Sequence, residues 1–556
     1  MPREARTEGG TVGQSASRLR SLARSSAIMT AGTLVSRLLG FAKTMLLVTA
    51  IGVTVGGAAD AFDVANKVPN NIYMLLAGGV LNAVLVPQLV RAAKRDDGGQ
   101  DFTDRLLTLA IGLLLILTVA FTAAAGLMVR IYANSGTWSD EQLALATAFA
   151  YWCLPQIFFY GLYTLLGQVL NSRESFGPYM WAPVLNNVVA IAGIIAFILL
   201  FGPGPEGEHA VGTWTGGKIA LLAGTATLGV VAQALILIWP LRRIGFSFRP
   251  RFGWRGVGLS IAGRVAGWTF AAVLVGQLGY IAVSQVASTA TSGAQGDVSA
   301  SNAAYSVSYL IFMLPHSLIA VSIATALFTP MSRNAAAGDV SAVRGSLTMG
   351  LRTVAIVNFL ATACVLVLAP QIAYVVAGGS IAQAEAIGHV LQAMILGLVP
   401  FSSAYLLQRV YYAYEDARTP FLVQLPQVVI TTALVLACLA LPREWTVAGI
   451  GASMSLGYVF GATASALLLR RRLGGLGLAG IAGNHARLAV AAVGAAAAGW
   501  AVSLPLEPML FAGRAGALGS IAIIGAVMAL SYLVLTWLLR VGELRELGRA
   551  VAARLR

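Results

Sequence analysis

Charge is scarce in this chain. Only 11% of its 556 residues are Asp, Glu, Lys or Arg, against about 25% in a soluble globular protein. That shortage excludes a string of soluble domains, although the length alone would allow several. Cysteine is nearly missing too. Cys153, Cys364 and Cys438 lie far apart in apolar stretches, which excludes a disulfide scaffold and offers no metal-ligand spacing. The four histidines form no His-x-x-x-His pair. Neither a phosphate-binding Gly-rich loop with its Lys nor a Gly-x-Ser-x-Gly elbow is present. An enzyme is therefore not expected, nor an ATP-driven pump, and no cofactor or metal is implied.

What the chain has is apolar bulk: 58% hydrophobic residues and a mean hydropathy of +0.79. The apolar runs are continuous rather than alternating, which excludes a transmembrane β-barrel and predicts an all-α polytopic membrane protein. Candidate spans are 28–51, 64–90, 106–129, 143–170, 180–201, 217–240, 262–288, 302–330, 346–369, 384–411, 421–441, 447–469, 487–504 and 515–539. That is about fourteen helices, each roughly matched to a 30 Å hydrocarbon core.

The net charge of +15 does not point to nucleic acid, because the cations fall in clusters between spans. Arg91, Lys94, Arg95 and Arg105 follow the second span. Arg242, Arg243, Arg249, Arg251 and Arg255 follow the sixth, and Arg470, Arg471 and Arg472 follow the twelfth. The intervening loops are almost free of cations. An even span count puts both termini on the arginine-rich side, which the positive-inside rule makes cytoplasmic. Residues 1–27 read as a disordered cytoplasmic arm rather than a signal peptide, and 542–556 as a cytoplasmic tail.

The chain repeats itself. Pro87 and Pro330 each close a span before a basic loop. Pro178 with Pro183 is matched by Pro420 with Pro426, all at nearly constant offset. Six helices per unit gives parallel repeats, the plan of a transporter with its site between two lobes. The expected units are a first lobe over 28–245, a second over 246–475, and two additional helices over 476–541.

Ionisable groups inside spans are costly and mark function. Arg37 lies about nine residues inside the first span, roughly 14 Å of rise. Lys43 follows, with Gly40 between them as a kink or close-packing point. Snorkelling is the alternative for Lys43 and carbonyl bonding for Arg37. Asp60, Asp63 and Lys67 cluster where the second span begins, and Asp60 also suits a helix N-cap. Asn66, Asn70, Asn71 and Asn82 run along that helix, and Asn186 and Asn187 sit in the fifth span. Such amides suit a sugar or peptide headgroup, or simply join helices. The second half has Gln277, Gln285, Tyr305, Tyr309 and His316 but no acid in its seventh or eleventh span, which argues against a carboxylate ion site there.

These residues resemble a known family. Thr33-Leu-Val-Ser-Arg-Leu-Leu-Gly-Phe-Ala-Lys43 and Ala59-Asp-Ala-Phe-Asp-Val-Ala-Asn-Lys-Val-Pro-Asn70 are similar to the opening of the MurJ (MviN) family. So are Leu170-Asn-Ser-Arg-Glu-Ser-Phe-Gly-Pro178 and Arg409-Val-Tyr-Tyr-Ala-Tyr-Glu-Asp-Ala-Arg-Thr-Pro420. The composition resembles its actinobacterial branch. The resemblance implies a V-shaped MOP-superfamily fold in the bacterial cytoplasmic membrane, with a lipid-tail groove on the last two helices. It implies a lipid II flippase moving undecaprenyl-pyrophosphoryl-MurNAc-pentapeptide-GlcNAc outward for peptidoglycan synthesis. Membrane lipids and cell-wall synthesis proteins are the further partners it implies.

Carried over residue by residue, Arg37 and Lys43 match the family's first two cavity cations and Asp60 its outward gate. Other charged positions of the family fall on Tyr73, Gly78 and about Leu310. The expected substrate contacts are Arg37 and Lys43 to pyrophosphate and Asn70, Asn71 and Asn186 to sugar or peptide, with Asp60 and Lys67 at the gate. Three other functions stay open at this point. They are a flippase of another polyprenyl-linked saccharide, a multidrug antiporter, and a divergent non-transporting scaffold that recruits division proteins.

Overall fold

The protein is described from a computed structural model over residues 31–76, 100–173, 175–252, 263–291 and 298–542. The N-terminal arm, Gly78, Asn82, Pro87 with the basic loop that follows it, Arg255 and the tail beyond residue 542 lie outside the described residues. Among the described residues every regular element is helical. Hydrocarbon cannot hydrogen-bond a backbone, so each span must satisfy its own amides and carbonyls.

The first lobe comprises α1 (Ala31–Ile51), α2 (Ala58–Leu76), α3 (Gln100–Ala123), α4 (Ala125–Tyr132), α5 (Asp140–Cys153), α6 (Gln156–Ser172), α7 (Gly177–Phe201), α8 (Gly216–Leu235) and α9 (Ile238–Arg243). The second comprises α10 (Gly263–Ser288), α11 (Asn302–Pro315), α12 (Val321–Ala336), α13 (Val340–Ala377), α14 (Ile381–Ile395), α15 (Leu398–Ala413), α16 (Arg418–Ala437) and α17 (Arg443–Arg472). Two more helices follow, α18 (Leu478–Ser503) and α19 (Gly513–Leu538).

Twelve described helices are long and apolar enough to cross a membrane, and thirteen if α14 and α15, bent by 43°, form one span. The expected second span is described only as α2. Four expected spans are interrupted: the third at Ala124, the fourth at Leu154-Pro155, the sixth at Ile236-Leu237 and the tenth at Leu396-Gly397. The fourth and tenth breaks lie 242 residues apart, the same offset as the proline repeat. The eighth span carries one π turn, His316–Ala320, directly after Pro315; the wider turn disposes of the hydrogen bond that proline removes. At Gly40, α1 shows no break. That glycine instead faces α7, where Asn187 donates to the Ser36 carbonyl at 2.8 Å.

Helices approach closely where small residues allow it. At Gly193 of α7 an added Cβ would lie 2.2 Å from the Thr225 hydroxyl of α8. Large apolar side chains point outward instead, Leu199 being 80% exposed, as expected for a surface that meets lipid. The two final helices pack on each other and on α13. Leu488, Ala491, Ile524 and Met528 meet Ala355 and Ala363, and the Tyr532 hydroxyl donates to the Ile356 carbonyl at 2.8 Å.

Arg173, Arg242, Arg344, Arg418 and Arg472 lie at or near helix ends that alternate along the chain with arginine-poor ones, and so share one face of the bundle. At the opposite, arginine-poor face the lobes are tied together, and the ties define the site.

Candidate functional site

The first tie is Asp60. It starts α2 on the first lobe and is buried. Its carboxylate accepts the Ser301 hydroxyl at 2.5 Å, the Ala303 amide at 2.9 Å and the Thr291 hydroxyl. All three donors belong to the second lobe. Helix α11 begins at Asn302, and its own preceding residue, Ser301, makes no capping bond from its side chain. Asp60 therefore caps α11 from across the lobe boundary, placing a carboxylate on the positive end of a helix dipole.

One turn deeper lies a second tie. Lys67 pairs with Asp63 at 3.3 Å, the spacing of one helical turn. Ser306 of α11 donates to Asp63 at 2.8 Å, and Lys67 bonds Ser306. The Lys67 ammonium stands 5.8 and 5.7 Å from the Tyr280 and Tyr305 ring centres. Lys67 thus engages Asp63 rather than Asp60. Backbone groups extend the seal. Ser284 donates to the Tyr132 carbonyl at 2.6 Å, and Gln285 to the Ile131 carbonyl at 2.8 Å. The Trp138 indole reaches the Ser288 carbonyl at 3.1 Å.

Beneath these ties lies a cavity of about 400 Å³, lined by Lys67, Asn70 and Asn71 of α2 and by second-lobe residues including Gln277, Tyr280, Tyr309, Gln427 and Tyr458. The Gln277 amide oxygen is buried without a hydrogen-bond partner, and the Asn71 amide lies against the Tyr132 hydroxyl. A buried orphan of this kind costs about 1–3 kcal/mol, which a donor on a polar ligand would offset. The tyrosines supply flat apolar faces with polar tips, a surface suited to sugar rings.

The other expected residues divide. Six helical residues separate Arg37 from Lys43, which turns them about 120° apart. Arg37 is half-buried and close enough to His316 for its charge to act on the ring. His316 itself bonds the Ser402 hydroxyl at 2.9 Å and packs on Phe401. Lys43 points the other way, into a cavity of about 50 Å³ inside the first lobe, with Asn66, Gln156 and Asn186. There Asn186 donates to Gln233 at 2.7 Å. Ligand pockets run to about 300–1,000 Å³, so this smaller cavity cannot receive a saccharide. Lys43 and Asn186 are not brought together with Asn70 and Asn71.

Tyr73, where the family resemblance leads one to expect an arginine, stacks on Tyr160 with centroids 5.3 Å apart and bonds Thr164. Sequence reasoning missed Ser301, Thr291 and Ser306. Their only signal is polarity just before and within the start of an apolar run. Among the described residues no group of three His, Cys, Asp or Glu could hold a metal.

Two helical lobes joined at one face over a tyrosine-lined cavity define a transporter of the two-lobed membrane type. The fold is similar to "Lipid II flippase MurJ, inward closed conformation" (TM-score 0.71, 16% identity, 92% of this chain and 99% of that one). It is also similar to an inward-facing multidrug resistance MATE family transporter of the MOP superfamily (TM-score 0.59, 18% identity, 78% and 98%).

In sequence, residues 47–511 match the family described as lipid II flippase MurJ, and the chain belongs to that family. It is 26% identical over 463 residues to "Probable lipid II flippase MurJ" of Haemophilus influenzae, covering 79% of this chain and 84% of that protein. It is 27% identical over 490 residues to the Synechocystis protein of the same name, covering 86% and 87%. The family's members are transporters rather than enzymes.

Proposed function

We propose that this chain flips lipid II, with the arginine-rich face and both termini in the cytoplasm. The observation that carries the reading is the cavity closed on its arginine-poor side, where Asn70, Asn71 and the unpartnered Gln277 acceptor lie below the Asp60 cap. The headgroup enters from the arginine-rich side between the lobes. Arg37, with no acid in ion-pair range among the described residues, attracts the pyrophosphate through charge-assisted bonds. Asn70 and Asn71 contact sugar or peptide, while the tyrosines carry the rings. Lys43 and Asn186 act from inside the first lobe, Asn186 holding α7 to Gln233 of α8, rather than touching the substrate.

The polyprenyl tail remains in the bilayer or along α18 and α19, since each CH₂ moved out of an apolar surrounding costs about 0.8 kcal/mol. Release requires that Asp60 let go of α11 and that the lobes rock, with 28–245 as one moving unit and 246–475 together with 476–541 as the other. Carboxylates are few in the second lobe, so the membrane potential, worth about 2.3 kcal/mol per charge per 100 mV, is the energy source this chemistry favours.

A second reading, transport of another polyprenyl-linked saccharide, is favoured by the cavity's shortage of charge. Lys67, the lining cation, is already paired with Asp63. Depleting the resident flippase of a bacterial host separates the two: rescue by this chain supports lipid II. The Arg37→Ala variant should reach the membrane yet fail to rescue. Full rescue by that variant overturns the role given to Arg37.

A further inference from the structure

The first lobe holds another cavity that the transport path does not use. It measures about 370 Å³ and lies between α3, α6 and α9 on the arginine-rich face. Leu107, Ile111, Leu162, Leu166 and Leu241 form its apolar wall, and Phe246 from the segment after α9 closes one side. Arg242 and Phe248 stand at the rim, both exposed. An apolar cavity does not hold ordered water, and leaving it empty forfeits dispersion contacts with its lining.

Neighbouring cations are already committed. Arg243 stacks 3.8 Å from the Trp239 ring centre, Arg251 pairs with Asp101, and Arg173 lies 4.9 Å over Phe246. The Arg242 side chain has no ion pair, hydrogen bond or ring partner among the described residues. The nearby acid Asp101 is held by both Arg105 and Arg251, and the buried Asp104 accepts from Gln100, so no free acid among the described residues would welcome an ammonium headgroup. Trp239, 58% exposed, and Phe248 mark the depth of the membrane interface.

We propose that this pocket binds one anionic phospholipid, with an acyl chain in the cavity and its phosphate on Arg242. The positive rim and the apolar interior match the two ends of such a molecule, and Arg249 adds to the attraction. The site is separate from the headgroup path and does not depend on which lipid-linked sugar is transported.

The test is native mass spectrometry of the purified full chain with phosphatidylglycerol or phosphatidylcholine of identical acyl chains. The wild type should retain phosphatidylglycerol preferentially. Arg242→Gln should lower that retention about fivefold, the equivalent of one surface cation on an anionic lipid. Ile238→Trp, which fills the cavity, should lower retention of both lipids. Equal retention of the two lipids by the wild type overturns the proposal, as does an unaltered preference in Arg242→Gln. Unaltered retention in Ile238→Trp removes the cavity from it.

Discussion

At the residue scale, the seal depends on a few charge-assisted hydrogen bonds. Each such bond contributes about 1.5–3 kcal/mol, and Asp60 accepts from three donors on the opposite lobe. Asp60→Ala should therefore shift the balance toward opening at the arginine-poor face by about 3 kcal/mol, roughly a hundredfold in population. Ala300, only 2% exposed beside this tie, can report on it. In a background without the three native cysteines, Ala300→Cys should react slowly with an impermeant maleimide, and fast once Asp60→Ala is added. Equal rates would show that the tie does not hold the lobes.

Asp416 offers a different test, outside the membrane in the turn between α15 and α16. Partial burial would raise its carboxyl, but the Thr419 amide and hydroxyl and Arg472 outweigh that and hold it below its ordinary 3.8. A depressed carboxyl contributes stability above its unfolded pKa, and that contribution disappears as pH falls through the folded value. The thermal midpoint should therefore drop below about pH 4, and Arg472→Gln should make that part of the profile shallower.

Much of this site was legible in the sequence because charge in an apolar run is hard to miss. Asp60, Lys67 and Arg37 stand out for that reason alone. Their partners were not legible. Ser301 and Thr291 lie more than 230 residues from Asp60, and only the docking of α11 on α2 brings them there. The pairing of Lys67 with Asp63 follows from helical spacing and needed no fold.

At the scale of elements, hydropathy located the spans, and the proline offset gave their repeat. The breaks at Leu154-Pro155 and Leu396-Gly397 fall at the same offset, so the halves share that interruption, whereas those at Ala124 and Ile236-Leu237 have no counterpart in the continuous α13 and α17. The divergence of Arg37 and Lys43 was half-visible. Helix geometry separates their directions, but which direction met the other lobe depended on α7 covering the Ser36, Gly40 and Lys43 side.

The closeness of α7 and α8 rests on Gly193. Thr225 has its Cβ 2.3 Å from the position an added methyl would take, and a side-chain rotation cannot move it. Gly193→Val should cost about 1–3 kcal/mol by overpacking, seen as a lower thermal midpoint. Thr225→Gly in the same chain should restore most of it.

At the scale of the molecule, the lobes meet where arginine is rare and the described cross-lobe bonds are concentrated. Alternating access needs such a seal to be strong enough to hold and weak enough to release; here the hydrogen bonds to one carboxylate sit within an apolar cluster shared by both lobes, with Phe62 and Ala65 on one side and Val286, Ala304 and Val307 on the other. The final pair of helices, bound to α13 by Leu488, Met528 and Tyr532, moves with the second lobe in this account. Purified protein in liposomes, loaded with lipid II and assayed for headgroup appearing in the opposite leaflet, tests the whole scheme most directly. The account predicts translocation by the wild type, increased by a membrane potential and lost in Arg37→Ala. Headgroup that stays in its original leaflet with the wild type, under any potential, would contradict it.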